Sequence, residues 1–118
     1  MLAWYNKDLV LEDQGKLEEA IELYDKSFSF DSNNIDALFS KGVALSKLGK
    51  LEDAIECYDE VIKLNPKNKN AWNNKGAILY ELGDLKKALE CFERVLEIDP
   101  MLEEAQFNKE KIENELKE

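Results

Sequence analysis

The chain has 118 residues, 44% of them apolar and 36% charged, with a formal net charge of −10. That length suits one domain of ordinary size, there is no run of 18 apolar residues to span a membrane, and the acidity argues against nucleic acid and anionic membrane surfaces, both of which require basic stripes. There is no histidine, which removes the commonest general base and zinc ligand together, so no enzyme, metal or cofactor is expected.

The opening stretch, MLAWYNKDLV, lacks the basic-then-apolar order of a signal peptide, and the expected location is cytoplasmic. Trp4, Leu9 or Val10, and Leu11 mark the apolar face of a first helix, and Leu17, Ala20 and Tyr24 that of a second. A third helix carries Leu38, Gly42 and Leu45. After Gly49 a fourth begins, with Glu52 and Asp53 in its first turn where the helix dipole favours acids, and Pro66 stops it. Asn65 to Asn70 read as a short polar loop. In the fifth helix Ala71, Trp72, Lys75, Ile78, Leu79 and Leu82 stand three and four apart. Gly83 suits the left-handed place after a helix end, and Asp84 is the expected N-cap of a sixth helix. That helix carries Leu85, Ala88, Leu89, Phe92 and Leu96 and ends before Pro100. The pattern restarts at Ala105 in a closing segment, 103–118. Strand alternation is absent and so is threonine.

One interval governs all of this. Gly15, Gly49 and Gly83 are 34 apart, as are Leu17, Leu51 and Leu85, Ala20, Ala54 and Ala88, and Tyr24, Tyr58 and Phe92. Periods of this length mark stacked supersecondary units. The repeats run 1–34, 35–68 and 69–102, each two antiparallel helices joined by a tight turn, in a single domain, 1–118. Small residues let paired helices approach, and the aromatics fill the space beside them. Cys57 and Cys91 share the interval; equivalent places one helix spacing apart, about 8–10 Å, are too far for a disulfide, which needs roughly 7 Å or less, so both are expected as buried thiols.

The signature is specific. The third unit reads Trp72-x2-Lys75-Gly76-x2-Leu79, then Ala88-x3-Phe92, then Pro100; the second reads Leu38-x2-Lys41-Gly42-x2-Leu45, then Ala54-x3-Tyr58, then Pro66. In period and pattern this resembles the tetratricopeptide repeat (TPR). The resemblance implies an all-α fold: an α-solenoid of three helix-turn-helix repeats plus a C-terminal capping helix, seven helices in a right-handed superhelix. It also implies a scaffold for protein–protein interaction, whose concave groove takes a peptide segment or helix of a partner. Departures fall in the first unit, with Asp8 in place of glycine and Ser32 in place of proline, so helix 1 is expected to be the least stable element. Lysines 7, 41, 75 and 109 replace the family's usual leucine; their stems can be buried while the ammonium stays wet beside acids.

The first helix of each pair has one stripe that core packing does not need. The candidate groove residues are Tyr5, Asn6 and Leu9 in unit one, Phe39, Ser40 and Val43 in unit two, Asn73, Asn74, Ala77 and Tyr80 in unit three, and Phe107 and Asn108 in the last helix. Exposed aromatics are the usual anchors of an interface, although some of these could pack between adjacent first helices. Asn6, Ser40, Asn74 and Asn108 form a polar ladder able to grip a peptide backbone; a merely solvated face reads the same way. In related domains a clamp of lysines, asparagines and an arginine holds the C-terminal carboxylates of heat-shock chaperones. The matching places here are Tyr5, Leu9, Ser40, Asn70 and Asn74. None is cationic, so no such clamp is expected, and the partner should be a neutral or basic peptide. The competing reading is a self-assembly module, a homo-oligomer formed by end-to-end stacking or by exchange of the first repeat.

Overall fold

The computed structural model describes residues 14–31 and 34–118. They form six helices and no strand: α1 (Gln14–Phe30), α2 (Ile35–Lys47), α3 (Leu51–Leu64), α4 (Lys69–Glu81), α5 (Leu85–Ile98) and α6 (Glu103–Lys117). Of the seven expected helices, the first lies outside the described residues. So do Asp8, Ser32 and the candidate groove residues Tyr5, Asn6 and Leu9.

The turn between α4 and α5 shows why a glycine recurs. Gly83 has φ +85°, a conformation open to glycine at no steric cost. The N–H of Gly83 donates to the Tyr80 carbonyl at 3.0 Å and that of Asp84 to the Leu79 carbonyl at 2.9 Å, which ties off the last carbonyls of α4. Asp84 then caps α5, its carboxylate accepting from the Lys87 N–H at 3.2 Å. Because one residue closes a helix and opens the next, the connection is only Leu82, Gly83 and Asp84. Gly49 repeats the turn at φ +80°, with the Lys50 N–H donating to the Leu45 carbonyl at 2.9 Å. Lys50 has no side-chain acceptor, and Glu52 and Asp53 in the first turn of α3 place negative charge near the positive end of the helix dipole instead. Gly15 breaks the series: it lies inside α1, and only Gly49 and Gly83 have positive φ among the described residues. A missing Cβ permits the left-handed turn without imposing it.

The longer connections are built by asparagine and proline. Asn65 accepts from the Lys67 N–H at 3.2 Å, and Asn68 caps α4 by accepting from the Ala71 N–H at 3.1 Å. Asn34 caps α2 identically, through the Ala37 N–H at 3.1 Å. The Trp72 indole N–H reaches back to the Pro66 carbonyl at 2.8 Å, and 34 residues on the Gln106 amide reaches the Pro100 carbonyl at 2.7 Å. The cap echo stops at Leu102, which offers α6 no side-chain acceptor.

Two compact units emerge, residues 1–57 and 58–118. In the first, α1 packs on α2, and Leu38, Leu45, Ala54 and Cys57 are buried. In the second, α4 packs on α5 and α5 on α6. Tyr58, Val61, Phe92, Val95 and Ile112 are each under 2% exposed or close to it, each contributing about 1.5–3 kcal/mol of burial. Gly76 makes this core possible. A Cβ there would stand 3.0 Å from both the Cys91 Cβ and the Phe92 Cζ, closer than ordinary van der Waals contact, so a larger residue would make those side chains give way where α4 and α5 meet.

Two rungs of the lysine ladder are ion pairs. Lys41 meets Asp25 at 2.6 Å within the first unit, and Lys75 meets Asp59 at 2.6 Å within the second; both partners advance by 34. The hydrogen bond to Asp25 raises the Lys41 pKa above the usual lysine value. Cys57 and Cys91 are free and buried. Burial pushes the Cys91 thiol up to about 11, with Lys75 acting in the opposite direction, and burial also raises Cys57. Thiols held this way are poor nucleophiles.

Candidate functional site

The stripe of α2 places Phe39, Ser40 and Val43 half-buried, with Asp36 exposed at the helix start. That of α4 places Asn73, Asn74 and Tyr80 half-buried and Ala77 exposed. On α6, Phe107 is 66% exposed and Asn108 half-buried.

In the second unit several of these residues converge. Ala77, Tyr80 and Glu81 of α4 face Asn108 and Lys111 of α6 across a cavity of about 230 Å³, with Phe92 of α5 and Ile112 of α6 also lining it. Tyr80 is fixed at both ends. Its hydroxyl donates to Glu115 Oε1 at 2.6 Å, and the Lys111 ammonium stands 5.0 Å from its ring centroid, within cation–π range. The wall is therefore held before any ligand arrives. Phe107 is adjacent in sequence to Asn108 but does not line the cavity.

The asparagines divide. Asn74 donates from Nδ2 to the Tyr58 hydroxyl at 3.3 Å, so part of its capacity serves the core. Asn108 lines the cavity. The Oδ1 of Asn73 is buried without a hydrogen-bond partner, an arrangement that costs about 1–3 kcal/mol until a donor reaches it. Sequence reasoning missed three parts of this site. Phe92 reads as core from the sequence and Ile112 is not singled out there; both are buried, and both also line the cavity. Glu115 stands four residues after Lys111, on the same helix face, which was the available signal.

A larger cleft of about 660 Å³ uses another face of α4, with Trp72, Lys75, Cys91 and Arg94 in its lining. Its three cations each have an acidic partner: Lys75 with Asp59, Arg94 with Glu97 at 3.0 Å and, more loosely, Lys87 with Asp84 at 3.9 Å. No helix among the described residues is long and apolar enough to cross a membrane, and none of them form a group of three metal-ligating side chains.

Helical hairpins closed by glycine turns at a 34-residue interval, with a cavity between first-type helices, define a repeat protein of the helix-turn-helix class. A profile described as Tetratricopeptide repeat matches residues 39–101, and one described as TPR repeat matches residues 10–49. The chain belongs to the tetratricopeptide repeat family. Among solved structures it is similar to the first TPR of Spaghetti (RPAP3) bound to the HSP90 peptide SRMEEVD, at 30% identity and TM-score 0.82, covering 99% of this chain and 93% of that one. It is similar also to the first TPR domain of human RPAP3, at 30% identity and TM-score 0.79, covering 93% and 88%. The second TPR domain of human RPAP3, in complex with the HSP70 peptide SGPTIEEVD, matches at 29% identity and TM-score 0.77, covering 91% of each chain. Compared with curated protein sequences, the chain matches none.

Proposed function

We propose that this chain is a non-catalytic interaction scaffold that binds a peptide segment of a partner protein along the first-type helices. The observation that carries the reading is the pre-held cavity on α4 and α6, reinforced by similar structures that carry peptides. The contacts would come from Phe39, Ser40 and Val43 on α2, Asn73, Asn74, Ala77 and Tyr80 on α4, and Phe107 and Asn108 on α6, with Tyr5, Asn6 and Leu9 contributing from the first unit.

The expected exclusion of chaperone tails was too broad. Two of the similar structures hold peptides of HSP90 and HSP70, so the fold is no obstacle to such a ligand. The narrower point concerns charge. Ser40, Asn70 and Asn74 are neutral, and a desolvated carboxylate beside them would lack a cationic partner. A neutral or basic segment is the proposed partner, by complementarity to a chain of charge −10. Hydrogen bonds from the asparagines, at about 0.5–1.5 kcal/mol each, fall short of the roughly 8 kcal/mol of micromolar binding, so the aromatics must supply the rest. The test is to titrate the full chain with a peptide selected from a random library, alongside a double variant, Asn74→Ala with Asn108→Ala. A tenfold or greater loss of affinity in a still-helical protein is expected. Unchanged affinity overturns the ladder, and a library that yields no binder overturns peptide binding itself.

Self-association is the second reading. It rests on α1, where Phe30 is 92% and Leu23 62% exposed. Light scattering at high concentration decides it: a monomer mass throughout removes the idea.

A further inference from the structure

We infer that the cavity between α4 and α6 is a specificity pocket for one large apolar side chain of the bound segment, and that Glu81 selects a lysine or arginine next to that side chain. This rests on the peptide-binding reading above and deepens it.

Volume is the first argument. An apolar cavity of about 150 Å³ accommodates benzene, so one of about 230 Å³ takes an aromatic or branched aliphatic side chain. It is too small for a folded element. The surroundings agree. Ala77, Phe92 and Ile112 supply apolar contact, and the Tyr80 ring forms a wall whose position is set by Glu115 and Lys111. An incoming side chain meets a surface that needs no reordering, which lowers the entropic cost of binding.

Charge is the second argument. Two ionised side chains line the cavity, Lys111 and Glu81. Lys111 is engaged with the Tyr80 ring, and the Glu115 carboxylate is hydrogen-bonded to the hydroxyl of the same tyrosine. Glu81 is exposed, and its side chain makes no ion pair or hydrogen bond among the described residues. The available charge at the rim is therefore negative. A cation beside the inserted side chain gains an opposite charge there, and an acid meets a like charge.

The experiment pans a random twelve-residue peptide library against the full chain, then measures selected peptides against the parent, Ala77→Phe and Glu81→Lys by fluorescence titration. Ala77 is exposed, so a phenylalanine there projects into the cavity without entering the core. Selected peptides should share one large apolar residue flanked by Lys or Arg. Ala77→Phe should weaken them at least tenfold, and Glu81→Lys should invert the preference between lysine-flanked and glutamate-flanked versions of one peptide. The HSP90 peptide SRMEEVD serves as an acidic probe and should bind the parent more weakly than it binds Glu81→Lys. Binders that lack an apolar residue, or that Ala77→Phe holds equally well, overturn the pocket while leaving peptide binding standing. A preference that Glu81→Lys leaves unmoved overturns the role of Glu81. Failure to select any binder overturns the underlying reading as well.

Discussion

The same substitution at two places in the glycine echo should change stability in opposite directions. At Gly83, φ is +85° with no heavy atom within 4 Å of an added Cβ, so alanine there suffers backbone strain alone. The left-handed conformation costs an L-residue roughly 1–2 kcal/mol. Gly15 is also open, with nothing among the described residues within 4 Å of an added Cβ, but it is helical. Alanine fits that conformation, and its narrower unfolded ensemble should add about 0.4–1 kcal/mol of stability. For a chain of 118 residues the unfolding entropy is about 0.25 kcal/mol/K. Gly83→Ala should therefore lower Tm by about 4–8 °C and Gly15→Ala raise it by about 2–4 °C. Circular dichroism melts of the two variants and the parent, run side by side, measure both shifts. Gly83→Asn provides the control, because asparagine tolerates the left-handed region better than alanine, and it should lose less. Shifts of the same sign for Gly15→Ala and Gly83→Ala, or an asparagine variant as weak as the alanine one, would refute the reasoning.

Other consequences are more local. Asn68→Ala removes the side-chain cap of α4 and should cost about 1 kcal/mol in urea denaturation, whereas Asn68→Asp should keep most of it. A double-mutant cycle of Lys75→Met with Asp59→Asn should give a coupling of only about 0.2–1 kcal/mol, because the pair is partly exposed, and less at high salt; a larger coupling would mean that the pair behaves as a buried one. Lys41, Cys57 and Cys91 all hold their protons more tightly when folded. The unfolded state releases those protons first, so stability should fall as pH rises from about 9, where an ordinary thiol ionises, through about 11, where folded Cys91 does. Asp99 behaves in the opposite sense: the hydrogen bond from Lys69 lowers its pKa, so its contribution is present above the ordinary carboxylate range and lost as pH falls through the lowered value. Stability measured across pH by urea titration checks both ends. Iodoacetamide should label Cys91 slowly in the folded protein and quickly in urea.

What the sequence determined by itself is whatever local chemistry and period can specify. Apolar spacing located the helices, Asp84 and Pro100 their limits, and the 34-residue interval their pairing, because capping and amphipathicity act over a few residues of one segment. Asn34 and Asn68 are cap-forming residue types, but in a chain with so many surface asparagines nothing local sets these two apart. The sign of φ at Gly15 was not legible, since glycine accepts either and the surrounding helix decides. Nor was the cavity. It exists because α4, α5 and α6 bring Ala77, Phe92 and Asn108 together from three helices, and no spacing within one helix encodes a gap between several. Tertiary structure alone also assigned Asn74 partly to the Tyr58 hydroxyl and left Glu81 unengaged at the rim while Lys111 was taken up by Tyr80. Periodicity fixes which side chains face a neighbour; the distances between helix axes decide which of those faces close and which stay open to a ligand.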